Sequence, residues 1–230
     1  DFKHAETNSA CDSECRDVGM IDGLAAILEE TTEGDLLVVL HQMGNHGPSY
    51  YKRYTQEFER FAPTCQTNQL ESCSREEIVN AYDNAVLYTD HFLGETIEWL
   101  NQLDNQFKNQ FDTSLLYVGD HGESFLEDGT IGHGIRLSRY QNMTAAVMFC
   151  PGKSARIVEL PTSHTDVLPT LFSYLSVELS DTAAIDGTSL ELATDRQLAA
   201  RRFATRNYLE PDYGLIGPWT QDPSKPFAFR

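Results

Sequence analysis

Basic residues are scarce in this 230-residue chain: 17 Lys and Arg stand against 35 Asp and Glu, a formal net charge of −18. So negative a surface repels a phosphate backbone and an anionic bilayer, which argues against nucleic acid as a partner and against electrostatic docking on a membrane face. Long hydrophobic runs are missing as well. Leu36–Leu40 and Ala145–Cys150 are strand-sized, far short of the roughly 20 residues that cross a bilayer as a helix. The N-terminus, Asp1-Phe2-Lys3-His4, has neither an initiator Met nor a signal peptide, so the chain reads as a piece of something longer or a processed product. Internal repeats and low-complexity tracts are absent. What is present, 40% hydrophobic residues over this length, suffices for one full-sized core in one domain.

The five cysteines form two close pairs and a remainder. Cys11 and Cys15 enclose Asp12-Ser13-Glu14, and Cys65 and Cys73 enclose a polar loop. There is no CxxC with further Cys or His at zinc-site spacing. Two small disulfides, Cys11–Cys15 and Cys65–Cys73, are therefore expected, and with them an oxidising compartment. Cys150 ends an apolar run and reads as a small core residue.

Strand and helix patterns alternate along the chain. Val18–Glu30 has a helical stripe, and Leu36–His41 is a near-continuous apolar strand of parallel-sheet type. Ser74 heads a long helix as N-cap, with Glu77 completing a capping box. Leu115–Val118 and Thr144–Cys150 are further strands. Ser163 caps a helix through Leu175 with Asp166 in its first turn, although Pro169 could delay its start. The tail after Asp195 begins helix-like and ends as an extended wrap. The alternation predicts a layered α/β/α fold with a mostly parallel central sheet, in which ligands sit beyond the carboxyl ends of the strands.

Two strand ends carry chemistry. After Leu115–Val118 come Gly119-Asp120-His121-Gly122-Glu123-Ser124, and after Leu36–Leu40 come His41-Gln42-Met43-Gly44-Asn45-His46-Gly47-Pro48. Gly132-His133-Gly134 follows shortly. Adjacent Asp and His offer one metal ion a hard oxygen and a nitrogen, and Gly122 lets the backbone turn closely past that ion. A buried Asp–His hydrogen bond at a turn is the competing reading. Glu123 could orient a ligand or cap the turn. His41 reads as a turn residue or an outer support, and His164 as a helix-start histidine. Asp83 and Asn84 either line a groove or lie on ordinary surface.

With these residues in place, the chain resembles the catalytic domain of the bacterial phosphoethanolamine transferases that modify lipid A, a family that includes the mobile colistin-resistance enzymes and belongs to the alkaline phosphatase and sulfatase superfamily. The resemblance rests on His41 through Tyr54, Asn80-Ala81-Tyr82-Asp83-Asn84, Asp120 through Ser124, Gly132-His133-Gly134, the Cys65–Cys73 loop and Ser163-His164-Thr165-Asp166, and covers roughly residues 11 to 190. It implies a zinc enzyme whose threonine takes phosphoethanolamine from phosphatidylethanolamine and passes it to lipid A or a related envelope glycan. By motif match, Asp120 and His121 are ligands of the tight zinc, and His46 and His133 hold a second zinc or contact the phosphoryl group. The resemblance further implies a periplasmic domain of an inner-membrane protein, with residues 1–230 as the C-terminal portion of that soluble domain.

The family's zinc-binding glutamate and nucleophilic threonine have no counterpart in these 230 residues, nor has its helical membrane anchor. The catalytic nucleophile is thus expected outside this chain, the N-terminal part of the domain is expected to be lacking, and the fragment alone is expected to be inactive. Other readings are a phosphoglycerol transferase, sulfatase or phosphatase of the same superfamily, or a non-catalytic metal-binding domain. The segment from Gly217 to Arg230 matches nothing.

Overall fold

Gly23, at φ +79°, ends one helical turn and opens another. Asp17–Ile21 is a 3-10 turn, and helix α1 runs Leu24–Glu30. The continuous helix expected from Val18 is split here, because glycine tolerates that left-handed backbone without a Cβ penalty. The computed structural model describes residues 4–31, 33–106, 112–134, 138–151, 153–155, 157, 161–178, 185, 187–194, 203–206 and 213–216. Two compact units emerge. The first comprises residues 1–117, 123–133 and 145–152, and the second 118–122, 134–144 and 153–230.

Unit one is organised by helix α2, Arg75–Gln106. At 1.5 Å per residue its 32 residues extend about 48 Å. Its start is the predicted capping box. Ser74 N and Oγ donate to Glu77 Oε2 at 2.7 and 2.8 Å, and Glu77 N donates back to Ser74 Oγ at 3.3 Å. Ile78, Ala81, Ala85, Tyr88, Phe92, Leu100 and Leu103 are all buried, spaced by three, four or multiples of that turn, so they form one stripe. Three clusters pack along it. Ile78 and Ala81 meet Tyr50, Cys65 and Phe125; Ala85 and Tyr88 meet Tyr54, Val18 and Phe58; Leu100 and Leu103 meet Leu28, Leu115 and Phe149. Val86, although apolar, is exposed.

Both expected disulfides are formed, Cys11–Cys15 and Cys65–Cys73, while Cys150 is a half-buried thiol. Cys65 is buried in the core against α2, and its N–H donates to Glu77 O at 3.0 Å. Asn84 belongs to neither of its expected classes. It is completely buried, its Oδ1 accepts from Arg60 N and Phe61 N at 2.8 and 2.9 Å, and its Nδ2 donates to Phe61 O at 2.9 Å. With Asn80 Nδ2 on Pro63 O at 2.8 Å, the helix clamps the loop before the Cys65 disulfide.

Strand β1, Leu115–Val118, forms where the apolar run predicts. The short strands β2, Ser124–Phe125, and β3, Ile131–Gly132, pair antiparallel. Helix α3 spans Arg139–Asn142, and β4, Ala146–Phe149, is the ladder partner of β1. The expected strand over Leu36–His41 is not one: Leu37 is 54% and Val39 79% exposed, and no described ladder reaches them. Consecutive apolar residues become a doubly buried strand only where partners supply both a ladder and covering layers, and β1 is paired instead with β4.

In unit two, Ser163 and Asp166 form the predicted cap. Asp166 Oδ2 accepts from Ser163 N at 2.8 Å, and a 3-10 turn over His164–Asp166 leads into helix α4, Val167–Tyr174. Pro169 does not delay the helix, since it sits in the first turn where N–H groups have no intrahelical partner. The completely buried Asp166 also accepts from Thr188 N at 2.9 Å. Strands β5, Phe203–Arg206, and β6, Tyr213–Ile216, form an antiparallel ladder where the sequence reading had only a wrap. The helix-like stretch at 195–202 and the segment from Gly217 to Arg230 lie outside the described residues.

Asn84→Ala should lower the stability of the chain by about 1–3 kcal/mol in chemical denaturation, because two backbone donors and a carbonyl lose one partner. Acid should weaken unit one as well. Backbone N–H groups hold the Asp12 carboxyl below its ordinary 3.8, the Lys52 ammonium holds Glu14 below 4.5, and Ser74 holds Glu77 below 4.5. A carboxyl lowered in the folded state stabilises above its ordinary value and loses that contribution as pH falls through the lowered one. The urea midpoint should accordingly drop between about pH 5 and about pH 3.

Candidate active site

Two histidine-bearing loops meet in unit one. The loop from His41 to Pro48 is tied down along its length. Asp17, buried, accepts from Met43 N at 3.0 Å and Gly44 N at 2.7 Å. Thr89 Oγ1 of α2 donates to Asn45 Oδ1 at 2.8 Å, and Arg53 Nε donates to His46 O at 2.8 Å. Burial pushes the Tyr82 phenol up to about 12. His133 follows β3 directly. The His46 and His133 rings stand edge to face, with centroids 5.9 Å apart. His41, at the start of the loop, is exposed.

The ring nitrogens are sorted by their partners. His46 Nδ1 lies 2.6 Å from Gly47 O. A carbonyl can only accept, so Nδ1 carries the proton and Nε2 is the acceptor nitrogen. His133 Nδ1 lies 3.1 and 3.3 Å from the two oxygens of Glu123, a carboxylate whose side chain is only 5% exposed. Glu123 thus orients His133, one of its two expected roles. Near it stands Tyr50, 2% exposed. Burial first, and the Glu123 charge second, push its phenol far above the ordinary value, so it stays an O–H donor.

Unit two holds the other pair. Gly119 O accepts from His164 Nε2 at 2.7 Å, which makes His164 the anchor of the turn rather than a ligand within it. Asp120 Oδ1 accepts from His121 N at 3.0 Å, and His121 Nδ1 donates to Gly122 O at 2.9 Å. His121 Nε2 is then the acceptor nitrogen, 3.6 Å from Asp120 Oδ2. Two donors each about 2.0–2.1 Å from a tetrahedral zinc stand about 3.3–3.4 Å apart, so this pair fits two positions of one zinc shell. The hydrogen bond on the opposite ring nitrogen is the arrangement by which metal-ligating histidines are held. Among the described residues, no three His, Cys, Asp or Glu side chains converge to complete such a shell.

Gly122 is required for a different reason from the one its sequence suggests. A Cβ there would run into Tyr140 O and Met143 O, while Gly122 N donates to Gln141 O at 2.8 Å. The close approach is to the backbone around α3. Tyr50 enters the sequence reading only within the stretch from His41 through Tyr54; the signal available was its place four residues after His46.

Residues 2–177 match the sulfatase family. The chain belongs to the sulfatase family. It is 39% identical over 187 residues, 77% of its length and 34% of the relative's, to phosphatidylethanolamine transferase Mcr-1 of Escherichia coli. This sulfatase-family chain also resembles the C-terminal periplasmic domain of phosphoethanolamine transferase EptC from Campylobacter jejuni. There the TM-score is 0.63 at 33% identity, covering 74% of this chain and 56% of that one. A third likeness is to the integral membrane protein lipooligosaccharide phosphoethanolamine transferase A of Neisseria meningitidis, with a TM-score of 0.55, 34% identity, and coverage of 63% and 26%. The fold is therefore of the alkaline phosphatase and sulfatase type. The chain spans about a third of the length of the curated relative.

Gly122→Ala should cost about 1–3 kcal/mol by overpacking and displace the turn that carries Asp120 and His121. Thermal unfolding and amide shifts at Gln141 read both effects.

Proposed function

We propose that this chain supplies the metal-binding and phosphoryl-binding part of a phosphoethanolamine transferase. Donor and acceptor are proposed to be phosphatidylethanolamine and lipid A or a related envelope glycan. The observation that carries the reading is the histidine geometry: His46, His121 and His133 each have Nδ1 held by an oxygen and Nε2 as the acceptor nitrogen. The names of the similar proteins support phosphoethanolamine as the group transferred and a periplasmic location. Among its described residues no helix is long and apolar enough to cross a membrane, and the anchor is assigned to a segment outside this chain.

Asp120 and His121 are the residues that would hold zinc. Bound there, zinc would polarise the phosphoryl oxygens and lower the pKa of a coordinated hydroxyl. His46 and His133 are the residues that would hold a second zinc when neutral, or donate to phosphoryl oxygens when protonated. The group passes in two displacements. A threonine oxygen outside this chain bonds to phosphorus as the bond to the diacylglycerol oxygen breaks, and an acceptor oxygen then displaces the threonine. Glu123 keeps His133 aimed through both. Without the threonine, the fragment alone transfers nothing.

Calorimetric titration of zinc into the chain tests this reading without any assay of transfer. Weak binding should be abolished by His121→Ala and reduced by His46→Ala. Equal binding in all three chains, or none in the wild type, would remove the metal site. In the complete enzyme, an ethanolamine-headgroup donor should be consumed and a glycerol-headgroup donor spared.

A further inference from the structure

Met43-Gly44-Asn45-His46 is a tight turn, closed by His46 N donating to Met43 O at 3.2 Å, with Gly44 at φ +54°. Side chains of opposite charge hold it from both sides. On its N–H side, one Asp17 oxygen accepts from Met43 N at 3.0 Å and the other from Gly44 N at 2.7 Å. On its C=O side, Arg53 Nε donates to His46 O at 2.8 Å. The two grips are themselves joined. Glu14 and Arg16, just before Asp17, reach the residues on either side of Arg53: Lys52 Nζ donates to Glu14 Oε1 at 2.5 Å, and Arg16 Nη2 to Tyr54 O at 3.3 Å. The residue after the turn is fixed as well, since a Cβ on Gly47 would sit 2.5 Å from the hydroxyl of the buried Tyr50. Gly47 O in turn accepts from the His46 ring.

On the reading that His46 serves a second zinc or the phosphoryl group, we infer that Asp17 and Arg53 are positioning residues that fix the backbone from which His46 projects. His46 is exposed, so the direction of its ring follows from the peptide that carries it and from Gly47 O. Asp17 is only 7% exposed, and burying a carboxylate costs desolvation that its two backbone bonds offset. Those bonds fix two successive peptide planes in a turn that has no ladder or helix to satisfy them. Arg53 fixes a further plane, beyond the histidine Cα. Neither group moves a proton or touches substrate; both act through the main chain.

Amide hydrogen exchange and histidine ring ¹⁵N spectra of the full chain test this without zinc or lipid. Met43 and Gly44 N–H should be protected in the wild type. Asp17→Ala should speed exchange at both by about tenfold, whereas Asp17→Asn, with one oxygen left, should restore protection at one of them. Arg53→Met should shift the His46 ring nitrogens, and Arg53→Lys, which keeps a donor, should shift them less. The His164 ring, held by Gly119 O in unit two, is the internal control for the fold and should not move. Zinc titration then reads whether the position matters. Asp17→Asn and Arg53→Met should each weaken binding by about tenfold, the same direction as His46→Ala. Unchanged exchange in Asp17→Ala, or a His46 ring indifferent to Arg53→Met, would overturn the inference. So would a zinc affinity that falls in His46→Ala and in neither of the other two. An affinity equal in His46→Ala and wild type would instead sink the second-zinc reading, with the exchange and ring results still deciding the positioning.

Discussion

Helix α2 presents one apolar stripe, and every core cluster of unit one packs on it. Its other service is to hold loops that have no regular structure of their own. Thr89 grips Asn45 in the His46 loop. Asn80 and Asn84 grip the backbone at 60–63. Arg75 donates to Phe125 O and pairs with Glu127, holding the hairpin that leads to His133. A long helix is stiff, so residues separated by many turns keep fixed spacings, and loops bonded to it inherit that rigidity. Capping at Ser74 and Glu77 matters for the same reason, because a frayed first turn would release Arg75 and the hairpin with it.

The histidines of the two candidate sites follow one local rule. Each useful histidine gives its Nδ1 proton to a nearby oxygen: a neighbouring carbonyl for His46 and His121, a buried carboxylate for His133. The cheapest oxygen is the next residue's carbonyl, and His46 and His121 use it. Using Glu123 for His133 costs the desolvation of a carboxylate, offset by the hydrogen bond from the ring. That arrangement fixes the imidazole more firmly than a backbone carbonyl on a turn, and ties it to a second loop.

Several features were legible because they are local. The Ser74–Glu77 and Ser163–Asp166 caps depend on residues three apart, and both formed. The Cys11–Cys15 and Cys65–Cys73 pairs close loops too short to leave other partners in reach. Leu115–Val118 reads as a strand from its own side chains. Other features resist such reading because the deciding partner is remote. Leu36–Leu40 has strand composition, but a strand exists only with a ladder partner, and none among the described residues reaches it. Asn84 looks like any helix polar residue until the loop 24 positions earlier supplies its three hydrogen bonds.

Membership of the sulfatase family, the residue types for a metal and the motif that places Asp120 beside His121 are thus properties of the sequence itself, written in adjacent residues. The edge-to-face approach of His46 and His133 and the need for Gly122 and Gly47 were decided by tertiary structure. The two histidines lie 87 positions apart in the chain. Side-chain periodicity carries no information about such pairings, since they are set by which core cluster closes around them.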